Sequence, residues 1–193
     1  MSSSTSRKTG LLLIDVQKGF EHPTYWGTER STPDFESNII KLLAAFRAKQ
    51  NPIIHICHHS LSPSSPLHPS NPSAAFTDYA LPQGDEPVIS KSVNSAFIGT
   101  DLEDKIKSLG IERLVIVGLT TGHCVSTTTR MAANLKVVGG EENVVLVSDA
   151  TAMFNREFEG VVYDAEMLHR MELATINEEF CVVRRTGDVL RDL

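Results

Sequence analysis

Cys124 lies in the stretch GLTTGHCVSTTTRMAANL, residues 118–135, where an apolar run gives way to a helical pattern. A thiol at the start of a helix sits among free backbone amides. Those amides favour the thiolate and can also hold a developing oxyanion. The alternative is a small apolar filler on a helix. Asp15 follows four apolar residues, LLLI. A carboxylate inside a buried run is costly unless paired, so Asp15 reads either as a strand-end cap or as a general base. Lys91, in VISKSVNSAF, also ends an apolar run. Lys91 is either a solvated surface residue or the cation that holds the carboxylate beside the thiol. Together the three would make a nucleophilic centre: thiol, base, and a cation that orients the base.

The histidines offer a competing chemistry. On a strand, His55, Cys57 and His59 would share one face and could bind zinc, but no local carboxylate joins them. His123 precedes the thiol, and adjacent side chains diverge on a helix. It therefore reads as a residue lining the site rather than as the thiol's base. Several motifs are absent: the phosphate-binding G-x-x-x-x-G-K-[ST], the dinucleotide G-x-G-x-x-G after the first strand, and the G-x-S-x-G elbow.

These residues must be positioned by elements. Apolar, branched runs recur at Leu11–Val16, Pro52–Cys57, Pro87–Ile89, Leu114–Val117, Val144–Val147 and Phe180–Val183. Such runs suggest strands buried on both faces. Four helical stripes lie between them. The first is Phe35, Ile39, Leu42, Leu43 and Phe46, with Thr32 as N-cap and Pro33 at the first helical position. The second is Leu102, Ile106 and Leu109, behind a capping box at Thr100–Glu103 and stopped by Gly110. The third is Val125, Thr128, Ala132 and Leu135. The fourth is Tyr163, Met167, Met171 and Ala174.

Strand–helix alternation predicts an α/β three-layer, Rossmann-like sandwich. Its six-stranded, mostly parallel sheet has the order 3-2-1-4-5-6. Strands 1 and 4 would then flank the topological switch point, bringing Asp15 and Cys124 into one crevice. The segment SLSPSSPLHPSNPS, residues 60–73, contains four prolines and reads as a surface linker or as a lid.

The 193 residues fit a single domain, 1–193, with residues 1–9 flexible. A net charge of -6 argues against nucleic acid or an anionic membrane as partner. Three widely spaced cysteines do not make a disulfide framework, and no apolar run is long enough to span a membrane. The expected location is cytoplasmic.

Taken together, LLLIDVQKGF, KSVNSAFIGTDLEDKI and GLTTGHCVSTTTRMAANL resemble the motifs of the isochorismatase-like cysteine hydrolase family, from about Gly10 to Val183. The resemblance implies Asp15, Lys91 and Cys124 as catalytic residues. It also implies a cis peptide between Leu119 and Thr120 and an oxyanion hole from the amides of Thr120 and Cys124. Metal-binding relatives carry an acidic-x-His pattern after strand 2. Cys57-His58-His59 stands there instead, so no metal is expected, and no organic cofactor either. A cysteine nucleophile favours amide-type C–N hydrolysis through a thioester over vinyl ether chemistry. Substrate-binding candidates are Gln17, Tyr25, Trp26, His58, His59 and His123. The expected partners are a small-molecule substrate and further copies of the chain, as a homodimer or homotetramer. The readings set against this are a non-catalytic scaffold that kept the fold and a metal-dependent, nicotinamidase-like amidase.

Overall fold

A computed structural model describes residues 7–193. Its main sheet has six parallel strands: β1 (Thr9–Ile14), β2 (Ile53–His58), β3 (Val88–Lys91), β4 (Arg113–Leu119), β5 (Val144–Ala152) and, last in the chain, β8 (Val182–Arg184). Their order is β3-β2-β1-β4-β5-β8, the expected arrangement with β8 as the sixth strand of the sheet. Between β5 and β8 the chain adds an antiparallel hairpin, β6 (Arg156–Phe158) and β7 (Val161–Tyr163), which the apolar pattern did not reveal.

Helices α1 (Phe35–Ala48) and α5 (Thr186–Asp192) cover one face of the sheet. Helices α2 (Leu102–Ser108), α3 (Ser126–Asn134) and α4 (Ala165–Ile176) cover the other. Alternate β1 residues feed the two cores: Leu11 and Leu13 pack toward α1, and Leu12 and Ile14 toward α2 and α3. The two edge strands depart from double burial: β8 has Val182 and Val183 half-buried and Arg184 exposed, and β3 alternates, with Val88 and Ser90 exposed and Ile89 and Lys91 buried.

Several local expectations are corrected. Helix α1 begins at Phe35, and the Phe35 amide donates to the carbonyl of Thr32 rather than to its hydroxyl; Thr32 itself has φ +60°. No capping box forms before α2: Asp101 stands at the N-cap, and the Thr100 hydroxyl donates to the Ala96 carbonyl and accepts from the Leu102 amide at 3.4 Å. Gly110 does end that helix, with φ +65°. The fourth stripe points the wrong way. Met167 and Met171 are exposed, Tyr163 belongs to β7, and α4 buries Ala165, His169 and Ile176 instead. A buried histidine on that face hid it from an apolar pattern. Of the tail expected to be flexible, residues 1–6 lie outside the described residues. Thr9 is buried and paired with Arg113 in the sheet. Residues 60–73 fold back on the body, with Ser65 and Leu67 buried and the Ser60 amide donating to the Leu67 carbonyl at 3.0 Å. Among the described residues no helix is long and apolar enough to cross a membrane.

Candidate active site

The site lies at the carboxyl ends of β1, β2, β3 and β4, where an open parallel sheet leaves a crevice. Asp15 is the first residue beyond β1 and has φ +54°, a left-handed conformation that Asp tolerates better than most residues. Its amide donates to the Ile56 carbonyl, which ties the turn to β2. Lys91 ends β3, in register with His58 of β2. Neighbouring strands are about 4.8 Å apart. The four-carbon lysine stem therefore crosses the end of β2 to reach a side chain at the end of β1.

Cys124 sits in a π-helical turn, Thr121–Val125, between β4 and α3, closed by the Val125 amide donating to the Thr120 carbonyl. The Leu119–Thr120 peptide leading into this turn is cis. The turn is buttressed from α4: Thr121 Oγ1 donates to His169 Nδ1 at 2.8 Å, and His169 Nε2 donates to the Ser148 carbonyl at 3.0 Å. The glycine required for this delivery is Gly118. It pairs with Ile14 at φ +122°, and a Cβ there would lie 2.0 Å from the Ile14 carbonyl oxygen. Gly122, two residues before the thiol, has no positive φ and would meet only the tip of Met153.

The Lys91 ammonium is the hub. It donates to Asp15 Oδ2 at 2.7 Å, to His58 Nδ1 at 3.0 Å and to Cys124 Sγ at 3.2 Å. All three of its N–H groups are therefore used. The Asp15 and Lys91 side chains are both fully buried. Asp15 Oδ1 is buried without a hydrogen-bond partner among the described residues. Asp15, His58 and Cys124 offer donor atoms within 4.8 Å of one another, a set that could hold a metal ion. The cation at their centre is the ammonium, which already takes one acceptor from each. The residues present fit a lysine and not a metal. His55, proposed with Cys57 and His59 for zinc, is bonded through Nε2 to Glu86 instead.

Burial dominates the electrostatics. It raises the Asp15 carboxyl above the usual range, with Lys91 opposing it. It pushes the Cys124 thiol up to about 12, with Asp15 adding to the rise and Lys91 opposing it. Burial first and the Lys91 charge second bring His58 down to about 4, so His58 is a neutral acceptor toward the ammonium. The resting site is thus a buried Asp–Lys ion pair beside a protonated thiol. This corrects the expectation of a thiolate favoured by helix amides alone, because desolvation outweighs the turn's partial charge.

Cys124 faces a cavity of about 200 Å³. Phe20, Trp26 and Leu67 give it apolar walls, and His58, Asn94, Thr120, His123 and Arg156 give it polar ones. Trp26 stacks on Phe20 at 4.6 Å, with its indole N–H donating to the Gly19 carbonyl. His123 pairs through Nδ1 with Thr120 Oγ1 at 2.9 Å, and burial lowers its pKa.

The remaining binding candidates lie elsewhere. Tyr25 is 43% exposed and packs edge-on against Trp26 from outside. His59 lies against Cys57 Sγ at 3.6 Å and lines a separate hollow with His68. The Gln17 amide is spent on backbone, donating to His58 and Ala74 carbonyls and accepting from the His58 amide, so it fixes the end of β2. Sequence reasoning missed Phe20, Leu67, Asn94 and Arg156. Each lies on an irregular segment or on the hairpin, where no period marks an inward face.

The isochorismatase domain model matches residues 9–187. The isochorismatase family protein YrdC of Bacillus subtilis (strain 168) is 42% identical over 186 residues, covering 96% of each chain. The crystal structure of an isochorismatase-family protein from Chromobacterium violaceum ATCC 12472 superposes with a TM-score of 0.88 at 37% identity, covering 100% of this chain and 96% of that one. A more distant relative, the ureidoacrylate amidohydrolase RutB of Agrobacterium fabrum (strain C58 / ATCC 33970), is 32% identical over 111 residues, 56% of this chain and 46% of its own. With the sheet order and the Asp15–Lys91–Cys124 cluster, these matches establish that the chain belongs to the isochorismatase family of hydrolases.

Proposed function

We propose that this chain hydrolyses the C–N bond of a small amide or ureido compound through a thioester on Cys124. The observation that carries the reading is the Lys91 ammonium, which holds a buried carboxylate and a cavity-facing thiol on one atom. A scaffold gains nothing from this, because a buried ion pair is weak evidence for stability. The amidohydrolase activity named for RutB supports the choice of a C–N bond.

The free oxygen of Asp15, Oδ1, takes the proton from Sγ as sulfur attacks the substrate carbonyl carbon. A carboxyl raised by burial is a stronger base than a free one, and the thiol at about 12 needs it. A C–S bond forms, and the amides of Thr120 and Cys124 hold the oxyanion. The intermediate collapses, the C–N bond breaks, and Asp15 passes its proton to the departing nitrogen. Asp15 then draws a proton from water, which attacks the thioester. Collapse releases the acid, and the thiolate recovers its proton from Asp15. Lys91 balances the negative charge as it moves from carboxylate to sulfur and back, so the site's net charge does not change during the first transfer.

Ammonia release from a panel of primary amides and ureido acids tests this, with Cys124→Ala alongside. Release by the native chain that disappears in the variant is the expected result. Release that survives Cys124→Ala overturns the reading.

A further inference from the structure

We propose that Arg156 is the specificity determinant of the cavity, and that the substrate carries a carboxylate on the side away from the reacting amide. The inference deepens the amide hydrolase reading and rests on it.

Arg156 opens β6, the hairpin strand inserted between β5 and α4, and lines the cavity that Cys124 faces. No carboxylate pairs with it and no acceptor receives its N–H groups among the described residues, although six other arginines, Arg30, Arg47, Arg113, Arg130, Arg170 and Arg191, are each ion-paired. Its charge adds to burial in lowering the pKa of His123, which lines the same cavity.

The charge balance of the site follows. Lys91 is cancelled by Asp15, the histidines are neutral, and Arg156 leaves one net positive charge in the cavity of a chain whose net charge is -6. A guanidinium fork matches a carboxylate with two parallel hydrogen bonds. One uncompensated cation matches a monoanion, whereas a phosphate dianion would lack a second partner. Phe20, Trp26 and Leu67 give the same cavity an apolar lining that suits a short apolar or unsaturated spacer. At about 200 Å³ the space is smaller than that of drug-sized ligand sites, so the acid is a short one.

Trp26 is the chain's one tryptophan and lines the same cavity, so its fluorescence reports occupancy without turnover. Succinamate, butyramide and inorganic phosphate are titrated against the native chain, Arg156→Gln and Arg156→Lys. Succinamate is expected to saturate the native signal at a concentration at least about tenfold below butyramide, as a charge-assisted contact requires. That ratio collapses in Arg156→Gln and returns in part in Arg156→Lys. Equal saturation by the two amides, or a ratio unchanged in Arg156→Gln, overturns the proposal. A tighter response to phosphate than to succinamate overturns the carboxylate assignment. Because the readout needs no chemistry, a failed amidase reading and a failed carboxylate site give different results.

Discussion

Replacing Lys91 with methionine removes the ammonium while keeping most of its length. Three acceptors then lose their donor at once: Asp15 Oδ2, His58 Nδ1 and Cys124 Sγ. The carboxylate suffers most, since it is fully buried and its other oxygen already lacks a partner. Breaking a buried pair from one side costs about 3–5 kcal/mol. The protein can escape part of that cost by protonating Asp15, whose pKa is raised by burial even with Lys91 present. Without Lys91 it rises further. The folded variant then binds a proton that the unfolded chain releases near its ordinary pKa of about 3.9. Its stability is therefore intact below that value and falls as pH rises toward the folded pKa, by about 1.4 kcal/mol per pH unit.

Urea unfolding of Lys91→Met and the native chain at pH 5 and pH 7.5 reads this directly. At an m-value of about 3 kcal/mol/M, a loss of about 3 kcal/mol moves the midpoint by about 1 M at pH 7.5. The gap between the two proteins should narrow at pH 5. Asp15→Asn combined with Lys91→Met removes both charges and should recover most of the loss. A deficit that is the same at both pH values, or one that the double variant does not recover, would refute the claim that the ion pair is the buried cost of this site.

Gly118→Ala should fail to fold or lose more than about 3 kcal/mol, because its Cβ strikes the Ile14 carbonyl at 2.0 Å. Gly122→Ala should lose less than about 1 kcal/mol by the same urea unfolding, as the Met153 tip can swing aside. Iodoacetamide should label Cys124 faster than fully buried Cys181, and Asp15→Asn should slow the Cys124 reaction by about a hundredfold, followed by peptide mass spectrometry. His58 is held near 4 in the fold, so it contributes stability that is present above pH 6.5 and lost as pH falls toward 4. His58→Gln should flatten that part of the acid unfolding curve, and an unchanged curve would contradict the buried, neutral imidazole.

Asp15 and Lys91 stand out because each ends an apolar run, and strand order brings Asp15 and Cys124 to one crevice; the catalytic set of three was legible only through the family motifs around them. The partner of Lys91 was less so. His58 reads as one of several histidines until the β2–β3 register sets it opposite the lysine. Gln17 illustrates the opposite error: its polarity beside the catalytic loop suggests a ligand contact, but two carbonyls and an amide consume it. Helix α4 misled for a related reason. Its inward face carries His169, satisfied at both ring nitrogens, while two methionines lie outside. Polar groups that find partners can be buried, and a sequence does not display those partners.

The segment 60–73 places Leu67 in the cavity wall but supplies none of the atoms that hold Cys124 or Asp15. Ser73 Oγ donates to the Pro66 carbonyl at 2.6 Å, pinning the segment onto itself and giving it a shape of its own. One piece of the cavity wall is therefore carried by a stretch of chain that holds none of the reacting atoms. Remodelling this segment would reshape the side of the cavity that Leu67 supplies, while the reacting atoms stay where the sheet puts them.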